Sequence, residues 1–464
     1  MGKRMSKLDD VLARVDADLN AAVERLFALM RIKSISTDPA YAAECKACAD
    51  WHVADLREIG FEATAHATPG HPIVVAHDHS ARGTSALFYG HYDVQPVDPL
   101  NLWSHDPFAP FVETRADGTR AIRGRGAADD KGQVMTFVEA CRAWKAVAGS
   151  LPIPLTLLLE GEEESGGASL PPFLDAHADE LRADIGLICD TNMWDARTPA
   201  IVTMLRGMCS EEIIITAADR DLHSGFYGMA AANPNMVLAR ILAALRDGDG
   251  KVAIPGFYDG VPELPDDLKA AWASLGFDEA AFLGAVGLSE PFGEKGRSVL
   301  EMVWSRPTAE ICGMGGGYQG EGFKTVIPSV ASAKVSFRLV FEQDPEAIRA
   351  AFREFVRARV PKDCKVEFIA HGGSRAVRFP NDASAFQKTQ QALTEEWGRG
   401  AVFIGGGGSI PVNIHLKEKL GMDVVLAGFG LEDDRIHSPN EKYDLTCFHK
   451  GIRSWARVLD ALSR

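Results

Sequence analysis

In the stretch Ser85-Ala86-Leu87-Phe88-Tyr89-Gly90-His91-Tyr92-Asp93, a short apolar run leads within a few residues to a histidine and an aspartate. A run without alternation suits a strand buried on both faces, as in a parallel sheet. Residues 155–159 and 185–189 have the same character, and helical spacing lies between them, as over residues 134–147. Strands alternating with helices predict an α/β layer around a central sheet. Acidic residues again come after these runs: Glu162, Glu163 and Glu164 after one, Asp190 after the other. Asp129 and Asp130 precede a helix that begins near Gly132. In open α/β sheets ligands gather beyond the carboxyl ends of the strands, so residues remote in sequence converge there.

Working outward, residues 8–30 carry apolar side chains at helical spacing and predict an amphipathic helix. The texture changes at Arg206-Gly207. Residues 210–217 and 331–340 read as half-buried strands, the second alternating through Lys334, Val335, Ser336, Phe337 and Arg338. Helices are predicted over residues 235–246 and 344–360, a strand near 364–368, and loops with helical pieces over 251–301. From Ala385 the α/β texture returns, with a helix to Trp397 and an apolar run at 424–429. The expected fold class is α/β: a catalytic domain with a mixed central sheet flanked by helices, interrupted by an inserted α+β domain. The expected boundaries are 1–206 and 380–464 for the catalytic domain and 207–379 for the insert.

Composition narrows the function. At 464 residues the chain exceeds one ordinary core. Its 46% hydrophobic and 24% charged content is that of a soluble globular protein. A net charge of −15 argues against nucleic acid as a partner. No apolar stretch reaches the roughly 18 residues of a membrane span, so no membrane role is expected. Residues 1–10 are charged and lack the apolar core of a signal peptide, so a cytoplasmic location is expected. The eight cysteines are scattered, which fits free thiols in a reducing compartment. Cys45 and Cys48 form a lone C-x-x-C in a helical stretch and read as ordinary helix residues, because structural zinc usually needs four ligands.

Each acidic or histidine signal has an ordinary alternative when taken alone. His91-Tyr92-Asp93 is a weak pattern, although a carboxylate two residues away can hold the second imidazole nitrogen. Asp129-Asp130-Lys131-Gly132 also suits a solvated helix N-terminus, and three consecutive glutamates also suit an exposed charge run. Asp190 alone indicates nothing. Together they form a mixed histidine and carboxylate set at strand ends, which suits Zn²⁺ or Mn²⁺ better than Ca²⁺. A further carboxylate must stay uncoordinated to accept a proton from water.

The segments Gly90-His91-Tyr92-Asp93-Val94-Gln95-Pro96, 126–132, 160–165, Asp221-Leu222-His223-Ser224-Gly225 and His437-Ser438-Pro439-Asn440-Glu441 resemble the co-catalytic metallopeptidases. That family includes carnosinases, cytosolic dipeptidases, aminoacylases, desuccinylases and carboxypeptidase G. The dipeptidase branch is the nearest, through Ile254-Pro255-Gly256, Thr325-Val326-Ile327-Pro328 and Gly408-Ser409-Ile410-Pro411.

The resemblance implies two divalent ions, Zn or Mn. Asp129 would bridge them, with His91 and Asp190 on one ion and Glu164 and His437 on the other. Asp93 would orient His91, and Glu163 would be the general base acting on a metal-bridged water. A cis peptide would join Asp129 to Asp130. His223 would reach the partner's site in a homodimer and stabilise the oxyanion. Arg338 and Thr325 would bind the substrate's C-terminal carboxylate. The glycines before Ser409 are not followed by the Lys of a phosphate loop. They read instead as backbone that admits substrate closely, with Ser409 as a donor. The expected activity is hydrolysis of small peptides. The alternative is a deacylase or amidohydrolase acting on N-acyl or N-carbamoyl amino acids.

Overall fold

The computed structural model describes residues 7–408 and 410–464. They form two compact units, one comprising Met1–Thr203, Phe379–Ile404 and His415–Arg464, the other Met204–Arg378 and Gly405–Ile414.

The first unit is built on a mixed sheet. Ala86–His91 lies between Leu155–Glu160 and Ile185–Ile188 and runs parallel to both. Val424–Leu426 continues the parallel run beside Ile185–Ile188. Ile73–Asp78 pairs antiparallel with Leu155–Glu160, and Glu62–His66 pairs antiparallel with Ile73–Asp78. The central strands are apolar on both faces, and every residue of Ala86–His91 and Leu155–Glu160 is buried. Helices Lys7–Met30, Lys131–Ala148 and Leu445–Leu462 pack together. An aromatic nucleus ties this layer to the sheet: Phe88 stacks on Phe137 with ring centroids 3.8 Å apart, and Trp455 meets Phe137 edge-on at 5.2 Å. Cys45 and Cys48 are buried on helix Ala42–Glu58, and all eight cysteines are free.

Because four parallel strands share one direction, their carboxyl ends open on one edge of the sheet. Two close approaches shape the loops there. A Cβ on Gly132 would lie 1.8 Å from the Ala127 carbonyl, so only glycine lets the chain fold back onto the start of helix Lys131–Ala148. A Cβ on Gly428 would lie 1.9 Å from the Thr191 carbonyl, so glycine also lets the loop after Val424–Leu426 close on the segment after Asp190.

A separate sheet of Phe111–Thr114, Arg120–Arg123 and Lys442–Asp444 is not legible in the sequence. These strands have only three or four residues each, too few to show a period.

The second unit carries a four-stranded antiparallel sheet in the order Thr308–Gly316, Val330–Leu339, Gly207–Thr216, Lys365–Ser374. Gly207–Thr216 alternates strictly between buried and half-buried residues. The buried face, with Ile213, Ile215, Val335 and Phe337, packs with Leu238 and Ile241 of helix Pro234–Ala243 and Phe352 of helix Pro345–Arg357. The opposite face is half-buried and carries Ser210, Glu212, Ser336 and Arg338. Thr308–Gly316 escapes sequence reading because its run of glycines masks the alternation. No helix among the described residues is long and apolar enough to cross a membrane.

Candidate metal centre

His91 is the last residue of its strand, and Asp190 lies two residues beyond Ile185–Ile188. Glu163 and Glu164 stand on a single 3-10 turn, Glu163–Ser165, just past Leu155–Glu160. Asp129 is positioned by the chain entering helix Lys131–Ala148, and the Asp129–Asp130 peptide is cis. His437 comes from the loop after Val424–Leu426 and has φ of 61°, the left-handed region that non-glycine residues seldom adopt.

These side chains meet around Asp129. Its Oδ1 is 3.1 Å from His91 Nε2 and its Oδ2 is 2.8 Å from His437 Nε2. His91 Nε2 also lies 3.9 Å from Asp190 Oδ2, and His437 Nε2 lies 3.2 Å from Glu164 Oε1. Two groups result, His91 with Asp129 and Asp190, and Asp129 with Glu164 and His437. Within each, the donor atoms fall within 4.8 Å of one another. One carboxylate thus serves both groups, with a different oxygen for each. Nitrogen and oxygen donors in this mixture fit a borderline divalent cation.

The electrostatics ask for positive charge. Burial, together with Asp129, Glu163 and Glu164, pushes Asp190 up to about 7 despite the nearby His91. Burial likewise raises Glu163, with Glu164, Asp93 and Asp129 adding to it. Hydrogen bonds to Asp129 and Glu164 lift His437 to about 10. Burial opposes ionisation of Asp129, but hydrogen bonds from His437 and His91 outweigh it and hold that carboxyl below the usual range. Crowded buried carboxylates of this kind are stabilised by a bound cation.

The surrounding shell is tightly specified. His91 Nδ1 lies 3.3 Å from Asp93 Oδ1 and 3.2 Å from the Asp93 backbone oxygen, while Asp93 Oδ2 accepts the Glu164 amide at 3.0 Å. Asp93 therefore steadies a histidine of one group and a glutamate of the other. Three further residues have no role assigned from sequence. Gln95 donates from Nε2 to Glu164 Oε2 at 2.7 Å, leaving Oε1 toward His437. Asp130 Oδ2 accepts the His91 amide at 3.1 Å. Glu441, fully buried, accepts the amides of Gly126, Ala128 and Asp129 at 2.9–3.1 Å and Arg125 Nη1 at 2.8 Å. It ties the His437 loop to the Asp129 loop. Gln95 and Glu441 lie within the motif segments, but no spacing rule assigns them a contact. Glu162 accepts the Ser169 amide and rests on Gly70, a local structural role.

In the second unit, His223 and Thr325 are both exposed and sit on neighbouring backbone. His223 pairs with Val326 in a short two-stranded ladder, and the Ser224 amide donates to the Thr325 carbonyl at 3.1 Å. His223 Nδ1 accepts the Gly225 amide at 3.0 Å. Arg338 lies on Val330–Leu339, opposite Met208 and Thr308. Ser409 lies outside the described residues.

The pattern of peptidase family M20/M25/M40 matches residues 87–461, most of the chain and every one of these side chains. The chain belongs to this family. The Cys-Gly metallodipeptidase DUG1 of Candida albicans is 31% identical over 454 residues, covering 93% of this chain and 92% of that protein. The solved dipeptidase Dug1p of Saccharomyces cerevisiae superposes with a TM-score of 0.80 at 27% identity, covering 99% of each chain. The M20 family metallo-carboxypeptidase Sso-CP2 of Sulfolobus solfataricus gives 0.82 at 29% identity, covering 95% of this chain and 99% of that one. This M20 member is therefore a hydrolase of the metallopeptidase kind, and its family implies divalent metal ions.

Proposed function

We propose that this M20 member is a metal-dependent dipeptidase that cleaves the peptide bond of small peptides ending in a free carboxylate. One observation carries the reading: two donor groups share Asp129, and beside them stands a glutamate with no hydrogen bond to its carboxylate among the described residues. Similarity to DUG1 and Dug1p, both named as dipeptidases, supports the choice of substrate class.

Two divalent ions, Zn or Mn, would be held here, one by His91, Asp129 and Asp190 and the other by Asp129, Glu164 and His437. The ions supply Lewis acidity toward the scissile carbonyl and toward water. Glu163 takes the proton of the attacking water and returns it to the departing amine nitrogen. Its burial suits both steps, because a raised pKa brings a carboxylate closer to the proton it must accept and then donate. Asp93 keeps the His91 ring oriented. Arg338, Thr325 and Ser409 hold the substrate carboxylate. Guanidinium suits that planar partner.

The inserted region, bounded from the sequence at 207–379, is proposed as a lid and dimerisation domain, with His223 serving the partner subunit's site in a homodimer. Exposed Phe226, Tyr227 and Met229 next to His223 support an interface there. Eight free cysteines support a cytoplasmic location.

Purified protein loaded with Zn²⁺ or Mn²⁺ should hydrolyse a panel of dipeptides and lose activity on chelation. Cleavage of only N-acyl or N-carbamoyl amino acids would replace this reading with the deacylase one. Sequential release of C-terminal residues from longer peptides would replace it with a carboxypeptidase.

A further inference from the structure

Arg125 lies behind the metal centre, between Gly124 and Gly126, whose φ values of 139° and 81° fall in the region that favours glycine. Its side chain is 1% exposed. Nη1 donates to Glu441 Oε2 at 2.8 Å and Nη2 to the Pro96 carbonyl at 3.0 Å. The Trp103 ring lies 5.3 Å from the guanidinium carbon, and Trp103 is anchored in turn by Nε1 to the Val97 carbonyl at 2.8 Å. Glu441 is fully buried, and Arg125 is the basic side chain that pairs with it.

The two arms of the guanidinium lead to different metal ligands. Through Glu441, one arm is joined to the Asp129 amide and to the chain that left His437 four residues earlier. Through Pro96, the other is joined to the residue after Gln95, whose Nε2 donates to Glu164 Oε2 at 2.7 Å. Glu164 and His437 belong to one donor group only, and Asp129 is shared with the other. The other group's own histidine, His91, is held instead by Asp93 and Asp130. A guanidinium offers its donors in a rigid planar fork, and a single ammonium cannot span both acceptors.

We infer that Arg125 is a positioning residue for the ion held by Asp129, Glu164 and His437, and that it sets the affinity of that ion apart from the other. It spans from the Glu441 carboxylate to the backbone beside Gln95, which keeps the supports of Glu164 and His437 at one spacing. Loss of the fork loosens all three ligands of that ion but only the shared Asp129 of the other. This rests on the reading of two ions in the centre.

The test counts bound metal in the full-length protein. Titrated with Zn²⁺ against a chelator dye, the wild type should bind two ions per chain. Arg125→Lys keeps a charge beside Glu441 and gives up the fork. It should weaken one ion by about 10–100-fold, the range for outer-shell partners, and leave the other within about threefold. Second substitutions identify the weakened ion. At a free Zn²⁺ level where Arg125→Lys holds one ion, adding His437→Ala should leave that ion in place, and adding Asp190→Asn should remove it. Equal weakening of both ions would make Arg125 a support of the fold only and overturn the inference, as would unchanged affinities or the reverse pattern in the double variants. If Arg125→Lys does not fold, Arg125→Gln with Glu441→Gln, which removes both buried charges together, decides by the same count. A wild-type protein that binds a single ion would instead sink the two-ion reading.

Discussion

At the ends of the parallel strands His91 is 1% exposed, with Nδ1 against Asp93 and its amide bonded to Asp130. On the inserted unit His223 is exposed, and its ring is bonded only to the amide of Gly225 among the described residues. Both histidines belong to motif segments, yet the fold treats them oppositely. Side chains that gather cations must be held against their mutual repulsion, so the chain surrounds them with hydrogen bonds that fix both position and tautomer. The role proposed for His223 at a partner subunit's site requires an open side chain, and its ring accepts the Gly225 amide. His437 stands between these extremes. It is 53% exposed, yet both its backbone conformation and its loop are constrained, the loop through Glu441.

The sharpest break of this contrast lies at Glu163. Glu163→Gln should lower kcat by about 10²–10⁴-fold, the usual range for a general base, while metal content measured by elemental analysis stays at the wild-type level. Parallel loss of metal would make Glu163 a ligand and not the base. His223→Ala should cost about 10²–10³-fold in kcat without altering metal content, if it stabilises the oxyanion. Mixing it with Glu163→Gln protein should restore part of the activity through hybrid dimers, and failure to do so would assign His223 to its own subunit.

Smaller effects sharpen the enclosed side of the comparison. Glu441→Gln should weaken metal affinity by about 10–100-fold, the range for outer-shell partners, as read by competition with a chelator dye. An unchanged affinity would show that the His437 loop holds itself in place. Smallest is Thr325→Ala, whose lost hydrogen bond to a carboxylate should raise KM severalfold, corresponding to about 1 kcal/mol. A fall in kcat with KM constant would move Thr325 from substrate binding to the chemistry.

Legibility varies across the site. His91 and Asp190 are readable as candidate ligands because buried parallel strands announce themselves as apolar runs, and the residues beyond their carboxyl ends share one edge of the sheet, while Asp129 is readable as an acid at the start of a helix. Glu164 is separated from Glu162 and Glu163 only by family resemblance, since adjacent glutamates are alike until a turn aims each differently. Gln95 lies within a motif segment but has no readable task. Its partner lies 69 residues away, and nothing in composition or period links the two. The short strands Phe111–Thr114, Arg120–Arg123 and Lys442–Asp444 stay hidden because the third pairs across more than 300 positions.

By itself, the sequence determined the alternation of buried strands and helices, the change of texture at Arg206-Gly207, the amphipathic insert and the excess of acid at strand ends. All of these are local properties, expressed in a dozen residues or fewer by hydrophobic period and residue type. Only the tertiary structure decided that one aspartate offers a separate oxygen to each of two histidines, and that Glu441 binds the two ligand loops together. Those are distances between segments from 38 to 312 residues apart, set by the packing of the whole chain and by no segment within it.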